Sequence, residues 1–231
     1  GNQISFETGN EICNTVYLAD NGLTIKACEQ ANIGDIGMVN GIEYTVVDND
    51  MFLEMMAQYG GSDNTQICTT RVNDMTGMST SIIQGSGNST SSWNEPIGHW
   101  DTSNVVYMSY MFQELINFNQ DISFWDVSNV IEMRGMFAYA TQFDGDISNW
   151  DVSNVTNMAY MFYSYESPYN SVFNQDISYW DVSEVTDMSF MFTNCASFTQ
   201  DLSSWDVSNV NDYNAFSLNA DSWTLPQPNF N

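Results

Sequence analysis

Aspartate recurs in two columns at a nearly constant spacing in the second half of the chain. One column holds Asp101, Asp126, Asp151, Asp181 and Asp206, and the other holds Asp121, Asp146, Asp176 and Asp201. Carboxylates that stack about 5 Å apart repel one another unless hydrogen bonds or a cation neutralise them. Most members of the first column precede Val-Ser-Asn, which is typical of turns in which a carboxylate accepts an amide two residues on. We therefore expect these aspartates to cap turns.

Calcium binding is the alternative chemistry for so many carboxylates. Neither the Asp-x-Asp-x-Asp-Gly calcium loop nor a glycine-rich nonapeptide repeat occurs in the sequence. Calcium is therefore expected only in irregular segments, where stacking does not dictate the geometry. The candidate ligands are Asp48, Asp50, Asp144 and Asp146. We expect no other cofactor.

Tyrosines are the candidate ligand-binding residues. A short insertion, "YSYESPYNSV", brings Tyr163, Tyr165 and Tyr169 together, and rigid aromatic side chains provide contact area at low entropic cost. Tyr110 and Tyr160 lie in Met-x-x-Met segments and are expected to add aromatic surface. The alternative for these last two is a structural role, as partly buried contacts between repeats.

Catalytic chemistry is poorly represented. The single histidine, His99, directly precedes a repeated tryptophan, Cys195 aligns with the small Ala140, and no glycine-rich phosphate loop occurs. The regularly spaced methionines are better explained as core residues than as copper ligands, because thioethers fill irregular gaps and no cysteine or histidine accompanies them. The sequence therefore predicts a protein that is not an enzyme.

The charge of the chain excludes some partners. Three basic residues oppose 29 acidic ones, giving a formal net charge of −26. Such a chain repels phosphate backbones and anionic membranes, so we expect neither nucleic-acid binding nor direct membrane insertion. No stretch approaches the roughly 20 apolar residues that span a bilayer, and no signal peptide opens the sequence. The acidity suits either saline surroundings or simply a soluble surface.

An internal repeat organises the second half of the sequence. Trp-Asp pairs begin at residues 100, 125, 150, 180 and 205, in steps of 25, 25, 30 and 25 residues. Each is followed by a Met-x-x-Met-Phe segment or a degenerate version of it, for which we predict a short helical or 3₁₀ turn. The position before each tryptophan varies freely and is expected to face water. One unit cannot enclose a core alone, so the units must stack.

The first repeats and the last are degenerate. Trp100 is expected to lack the upstream half of the template, and the pattern decays after Val210. Residues 67–99 hold a first copy in which Ile67 takes the tryptophan position, followed by an exposed loop, "QGSGNSTSS". Terminal units of stacked repeats are usually atypical because they cover the ends.

The N-terminal region reads as two hairpins and a helix. A turn near Asp20-Asn21 would bring Cys13 opposite Cys28, and we predict a disulfide between them. A second turn, at Asn40-Gly41, precedes a strand from Tyr44 to Val47, and a helix is predicted for 50–59. A disulfide suits an oxidising compartment.

The repeat "FNQDISxWDVSNVTxMxxMF" closely resembles that of bacterial surface proteins with BspA-like leucine-rich repeats, over about residues 67–216. With the resemblance we predict a mainly β chain with short helical turns, a right-handed leucine-rich-repeat-type solenoid of 25-residue coils. The predicted divisions are 1–66 as a hairpin-plus-helix cap, 67–216 as repeats and 217–231 as a closing segment.

The resemblance implies a secreted or cell-surface protein that functions in adhesion and protein recognition. We accordingly expect a non-catalytic module that binds a protein or a glycan on another surface. Two alternatives stay open. One is a structural subunit that self-associates into an extracellular filament, because stacked repeats leave open edges, and the other is a calcium-dependent adhesin.

Overall fold

The computed structural model describes residues 13, 15–59, 66–86, 93–165 and 170–230. Five short strands and two helices lie in its N-terminal part. In chain order they are β1 (Val16–Leu18), β2 (Ile25–Ala27), β3 (Ile36–Val39), β4 (Ile42–Val46), α1 (Asn49–Tyr59), β5 (Ile67–Cys68) and α2 (Met78–Ser86). Of these elements, β5 and α2 were not anticipated from the sequence.

Strands β1 and β2 form the first hairpin. Their register pairs Val16 with Ala27 and Leu18 with Ile25, which is shifted by two residues from a tight turn at Asp20-Asn21. The Asn21 side chain orders the longer loop, because its Oδ1 accepts the Thr24 amide at 2.9 Å. A disulfide joins Cys13 to Cys28, whose Cα atoms lie 5.8 Å apart.

The second hairpin connects the N-terminal region to the repeats. Strands β3 and β4 turn at Asn40 and Gly41, which have φ of +51° and +83°, as a two-residue hairpin turn of the mirror-image type requires. Strand β4 then pairs in parallel with β5. Helix α1 follows β4, and Asp48 caps it by accepting the Met51 amide at 3.0 Å.

The repeats contain almost no regular β-structure, so the prediction of a mainly β, right-handed leucine-rich-repeat-type solenoid is wrong. In the described part of the chain, strands are confined to residues 16–68, in one two-stranded and one three-stranded sheet. Each repeat unit adds only a single residue to a row of isolated parallel bridges. The bridged residues are Asp74, Tyr107, Glu132, Asn157, Asp187 and Asp212.

The described repeats form almost no strands because residues in the left-handed conformation bend the backbone. In Met108-Ser109-Tyr110-Met111, the Met111 amide donates to the Met108 carbonyl at 3.3 Å, and Tyr110 has a φ of +56°. A positive φ at the third residue is the mark of a type II β-turn, so the predicted helical or 3₁₀ turn is wrong. Glu114, at +63°, turns the chain again four residues later. No run of extended residues survives long enough to form a strand.

Backbone hydrogen bonds nevertheless tie each unit to the next. The N–H groups of Met133, Gly135, Phe137 and Tyr139 donate to the carbonyl oxygens of Asn157, Ala159, Met161 and Tyr163 at 2.7–3.0 Å. The donors lie at every second residue and all point toward the following unit. One edge of a unit is therefore a row of donors.

The tryptophans form a second connection between units. The indole N–H of Trp150 donates to the Ile122 carbonyl of the preceding unit at 3.2 Å, and Trp125, Trp180 and Trp205 make the equivalent bond. Neighbouring rings stack, with centroids 6.3 Å apart for Trp100 and Trp125. A buried indole thus has its polar group satisfied, which explains why tryptophan recurs here.

The repeat extends further upstream than the sequence suggested. Trp93 stacks on Phe118 with ring centroids 5.8 Å apart, and the Ile97 carbonyl accepts the Trp125 indole N–H at 3.2 Å. Residues 93–97 therefore supply the upstream half that Trp100 was expected to lack. As predicted, the variable position before the tryptophan is exposed in the four later copies, at Phe124, Asn149, Tyr179 and Ser204; Phe124 and Tyr179 have exposed fractions of 60% and 87%.

One hydrophobic core runs from Val47 to Trp223 and includes Phe52 and Met56 of α1. A smaller cluster lies under the two hairpins, around Ile25 and Tyr44. At the far end, residues 217–230 fold back on the last unit. There Phe230 stacks on Tyr213 at 4.5 Å between ring centroids, and the Leu202 amide donates to the Pro226 carbonyl at 3.0 Å.

Candidate functional site

A shallow, open groove of about 250 Å³ crosses the middle repeats. We call it the tyrosine groove, and its lining residues are Tyr110, Gln113, Arg134, Ala138, Tyr139, Tyr160 and Tyr163. Aromatic faces, hydroxyl groups, an amide and a guanidinium meet in it. This mixture offers both apolar contact and directional hydrogen bonds to a ligand.

The backbone turns place these aromatic side chains. Tyr110, Tyr139 and Tyr160 have φ of +56°, +62° and +60°, a region that costs an L-residue about 1–2 kcal/mol relative to the right-handed one. Glycine would avoid this cost, and glycine does occupy the equivalent position at Gly135 (φ +60°). The chain therefore tolerates strained aromatic residues on this face, which is the kind of outlier that accompanies function.

Arg134 is the electrostatic centre of the groove. Its Nε donates to the Tyr110 hydroxyl oxygen at 2.6 Å, and its guanidinium carbon lies 4.8 Å from the centroid of the Tyr160 ring. Nη1 lies 3.7 Å from Asp187 Oδ2. Burial opposes the charge, but Tyr110 and Asp187 outweigh it and raise the pKa of Arg134. The guanidinium is thus held between the Tyr110 hydroxyl group and the face of the Tyr160 ring.

Tyr139, which also lines the groove, contacts two further tyrosines. Its ring meets Tyr163 edge-on at 5.1 Å and Tyr165 at 4.3 Å between centroids. Burial, followed by the influence of Tyr163, raises the pKa of Tyr139 to about 12. Burial and then the charge of Glu114 also raise the pKa of Tyr165. Both hydroxyls are therefore neutral donors at neutral pH.

The structure brings most of the predicted tyrosines together. Tyr110, Tyr160 and Tyr163 line the groove, and Tyr165 lies beside it with 39% of its surface exposed. Tyr169 lies outside the described residues.

Sequence reasoning missed Arg134 and Tyr139. A signal for Arg134 was present, because it is one of only three basic residues among 29 acidic ones. The corresponding positions of other repeats carry uncharged residues, at Ser109, Ala159, Ser189 and Asn214. A cation in so acidic a chain is expected to have a specific partner, and Arg134 has three, in Tyr110, Tyr160 and Asp187.

The aspartate columns cap turns, as the sequence predicts. Asp126 Oδ1 accepts the Ser128 amide at 3.1 Å and its hydroxyl at 2.6 Å, and Asp121 receives the same pair of bonds from Ser123. The equivalent pairs occur at Asp146, Asp151, Asp181 and Asp201. The hydroxyl and amide of Ser148 lower the pKa of Asp146, because both bonds favour the ionised form.

Asparagine side chains bridge successive units beside these caps. Asn154 Nδ2 donates to the Ser128 carbonyl at 2.7 Å, and Asn129 donates to Ser103 at 2.8 Å. A second row connects Asn119 and Asp144, since the Asp144 amide donates to Asn119 Oδ1 at 3.0 Å. Asp144 Oδ1 in turn accepts the Asn174 amide at 2.9 Å.

The four carboxylates proposed as calcium ligands lie in two separate parts of the fold, and three of them accept backbone hydrogen bonds. Asp144 and Asp146 accept the backbone amides of Asn174 and Ser148, while Asp48 caps α1 and Asp50 lies in its first turn. Across the described residues, no three histidine, cysteine, aspartate or glutamate side chains converge as a metal site would require.

The two free cysteines are buried, and the histidine packs against a tyrosine. Cys195 is fully buried, its Sγ donates to the Phe162 carbonyl at 3.0 Å, and burial raises the pKa of its thiol. Burial also raises the pKa of Cys68. The His99 ring lies 5.5 Å from the Tyr44 ring, between centroids.

Comparison with known proteins gives one match. No curated protein and no solved structure matches the chain, and neither described helix is long and apolar enough to cross a membrane. A family model described as "Mycoplasma protein of unknown function, DUF285" matches residues 49–172 and 168–231. The match fits a bacterial surface repeat protein but does not single out the leucine-rich-repeat branch. Because these segments cover most of the 231 residues, the chain belongs to the DUF285 family.

Proposed function

We propose that the protein is a non-catalytic binding module, secreted or held at a bacterial surface, that recognises a protein or a glycan through the tyrosine groove. The observation that carries this proposal is Arg134, fixed between Tyr110 and Tyr160 on an otherwise acidic molecule. Family membership supports the surface location, and the Cys13–Cys28 disulfide suits an oxidising compartment.

The size of the groove indicates what enters it. At about 250 Å³ and open to solvent, it is smaller than the 300–1,000 Å³ typical of enclosed sites for small molecules. It accommodates one sugar ring or one side chain of a larger ligand, with tyrosine faces packing against apolar atoms. The Gln113 amide and the tyrosine hydroxyls would hydrogen-bond the polar groups of that ligand.

The two other candidate functions have less support. A calcium-dependent adhesin needs free carboxylates, whereas Asp126 and Asp151 accept hydrogen bonds from Ser128 and Ser153. A filament built end to end needs two complementary open ends, and helix α1 covers the first repeat.

Glycan and protein arrays test the proposal. The parent protein should bind a defined subset of ligands, and Arg134→Ala or Tyr163→Ala should weaken that binding at least about tenfold, or ~1.4 kcal/mol. The matched control is Tyr179→Ala, which removes a tyrosine that is 87% exposed and lies outside the groove. Circular dichroism would verify that each variant is folded. The proposal fails if nothing binds, or if Tyr179→Ala loses a ligand that both groove variants retain.

A further inference from the structure

The last unit of the stack presents a row of hydrogen-bond donors. Between the final two units, the N–H groups of Met188, Phe190, Phe192 and Asn194 donate to the carbonyl oxygens of Asp212, Asn214, Phe216 and Leu218 at 2.8–2.9 Å. One repeat further on, the equivalent donors are the N–H groups of Tyr213, Ala215, Ser217 and Asn219. Within the described part of the chain these four amides have no acceptor. We call them the donor edge.

The donor edge is accessible. The closing segment covers the core beside it, where Phe230 meets Tyr213 and Phe216 with ring centroids 4.5 and 5.0 Å away. It reaches the row at Ser217, whose hydroxyl donates to Gln227 Oε1 at 2.9 Å. It leaves Tyr213 and Asn219 exposed, and Ala215 and Ser217 partly exposed. In the internal units, carbonyl oxygens of the next repeat fill these positions. The edge therefore matches an extended backbone that offers a carbonyl at every second residue.

An apolar hollow adjoins the donor edge. It measures about 340 Å³ and is lined by Tyr213, Ala215, Phe216, Ser217, Leu218, Gln227 and Phe230. Leu218 and Tyr213 are 53% and 43% exposed, which leaves room for an apolar side chain of a partner. Asp206, Asp212 and Asp221 lie nearby in the chain. Their charge favours a partner segment that is neutral or basic.

A second copy of this chain cannot supply the missing acceptors through its first repeat. Asn49 of α1 takes the place of a preceding unit at that end, because its Oδ1 accepts the amides of Asn73 and Asp74 at 2.9 and 3.2 Å, as the Asn73 carbonyl accepts those of the next unit. Phe52 of α1 lies edge-on to Trp100, with ring centroids 5.3 Å apart. The two ends of the stack are therefore not complementary.

We propose that the C-terminal end of the stack is a docking surface for an extended, neutral or basic segment of a different protein, which adds to the donor edge as a further repeat would. This surface lies in the last unit and the closing segment, and it shares no residue with the tyrosine groove. The two sites can therefore be tested separately.

A peptide with the chain's own repeat sequence is the probe. Residues 150–164 read WDVSNVTNMAYMFYS, and the carbonyls of Asn157, Ala159, Met161 and Tyr163 accept the donors of the preceding unit in the structure. Two lysines added at its end would give it the expected charge. At millimolar concentration, this peptide should slow hydrogen exchange at Tyr213, Ala215, Ser217 and Asn219 by about tenfold or more. A scrambled peptide of the same composition should leave exchange unchanged.

Two variants complete the test. Leu218→Asp places a charge in the hollow and should abolish the protection, whereas Phe124→Asp, at a distant position that is 60% exposed, should retain it. Unchanged exchange at the four amides, or equal slowing by the scrambled peptide, would overturn the proposal. Light scattering should find a monomer at all concentrations tested. Particles that grow with concentration and disappear in Leu218→Asp would show that a second copy fills the donor edge. That result would also overturn the proposal.

Discussion

The ring of Tyr110 lies directly over Gly135 of the next unit. A methyl group at residue 135 would fall 2.5 Å from two carbons of that ring, closer than atoms can approach without one of them moving. The same ring receives a hydrogen bond from Arg134 through its hydroxyl oxygen. The glycine at this left-handed turn position is therefore what allows Tyr110 to form a wall of the groove.

Gly135→Ala should disrupt the groove as well as destabilise the fold. Both Gly135 and Gly77 have positive φ, at +60° and +67°, so alanine at either costs about 1–2 kcal/mol of backbone strain. Gly77 has nothing within 4 Å of an added methyl group, which makes Gly77→Ala the matched control. Overpacking against Tyr110 should add about 1–3 kcal/mol, measured by urea unfolding. Equal losses in the two variants would contradict this account.

Glu184→Asn should stabilise the protein. Glu184 stands where other units have an asparagine that donates to the preceding unit, as Asn154 donates to the Ser128 carbonyl at 2.7 Å. The corresponding Ser153 carbonyl receives no such bond among the described residues. Restoring it should contribute about 0.5–1.5 kcal/mol, measured by thermal or urea unfolding. The reverse change, Asn154→Glu, should cost a similar amount, and a stabilising Asn154→Glu would refute the asparagine ladder.

Ser183→Ala should change how stability depends on pH. The Ser183 hydroxyl and then its amide lower the pKa of Asp181, at 2.6 and 3.1 Å from Oδ1. A lowered folded-state pKa adds stability that is present above the unfolded value of about 3.9 and is lost as the pH falls through the folded value. The variant should thus be less stable than the parent at neutral pH, and the difference should vanish below the folded pKa.

Nuclear magnetic resonance can follow this pKa directly. The Asp181 carboxyl should titrate at higher pH in Ser183→Ala, while Asp201, capped by Ser203, should serve as an unchanged control in the same spectra. Relief of charge repulsion on acidification affects parent and variant alike, so it cancels in the comparison. An unshifted Asp181 would show that the hydroxyl bond is not formed in solution.

Calcium should leave the melting temperature nearly unchanged. Asp126 and Asp151 each accept an amide and a hydroxyl from their own unit, so no cation is needed between neighbouring units. A calcium site on the native state would add about 2.7 kcal/mol at a hundredfold excess over Kd. Calorimetry with calcium or a chelator distinguishes the two. A large calcium-dependent shift that Asp126→Asn and Asp151→Asn abolish would assign these columns to calcium instead.

Local chemistry was readable from the sequence because it recurs within short windows. The Asp126-to-Ser128 cap spans two residues, so composition and spacing sufficed to predict it. The Asn40-Gly41 turn was predictable for the same reason, since few residue pairs adopt positive φ without large cost. The spacing of the tryptophans likewise indicated that units must stack to bury them.

Tertiary structure alone decided the shape of the repeats and the composition of the groove. Tyr110, Tyr139 and Tyr160 adopt left-handed conformations because bonds to the following unit hold them there, although each residue alone would prefer another region. Intrinsic preference therefore predicted strands and helical turns where the stack imposes type II turns. Arg134 joins Tyr110 and Asp187 across 24 and 53 residues. No local pattern encodes such a contact, because it exists only once separate units lie side by side.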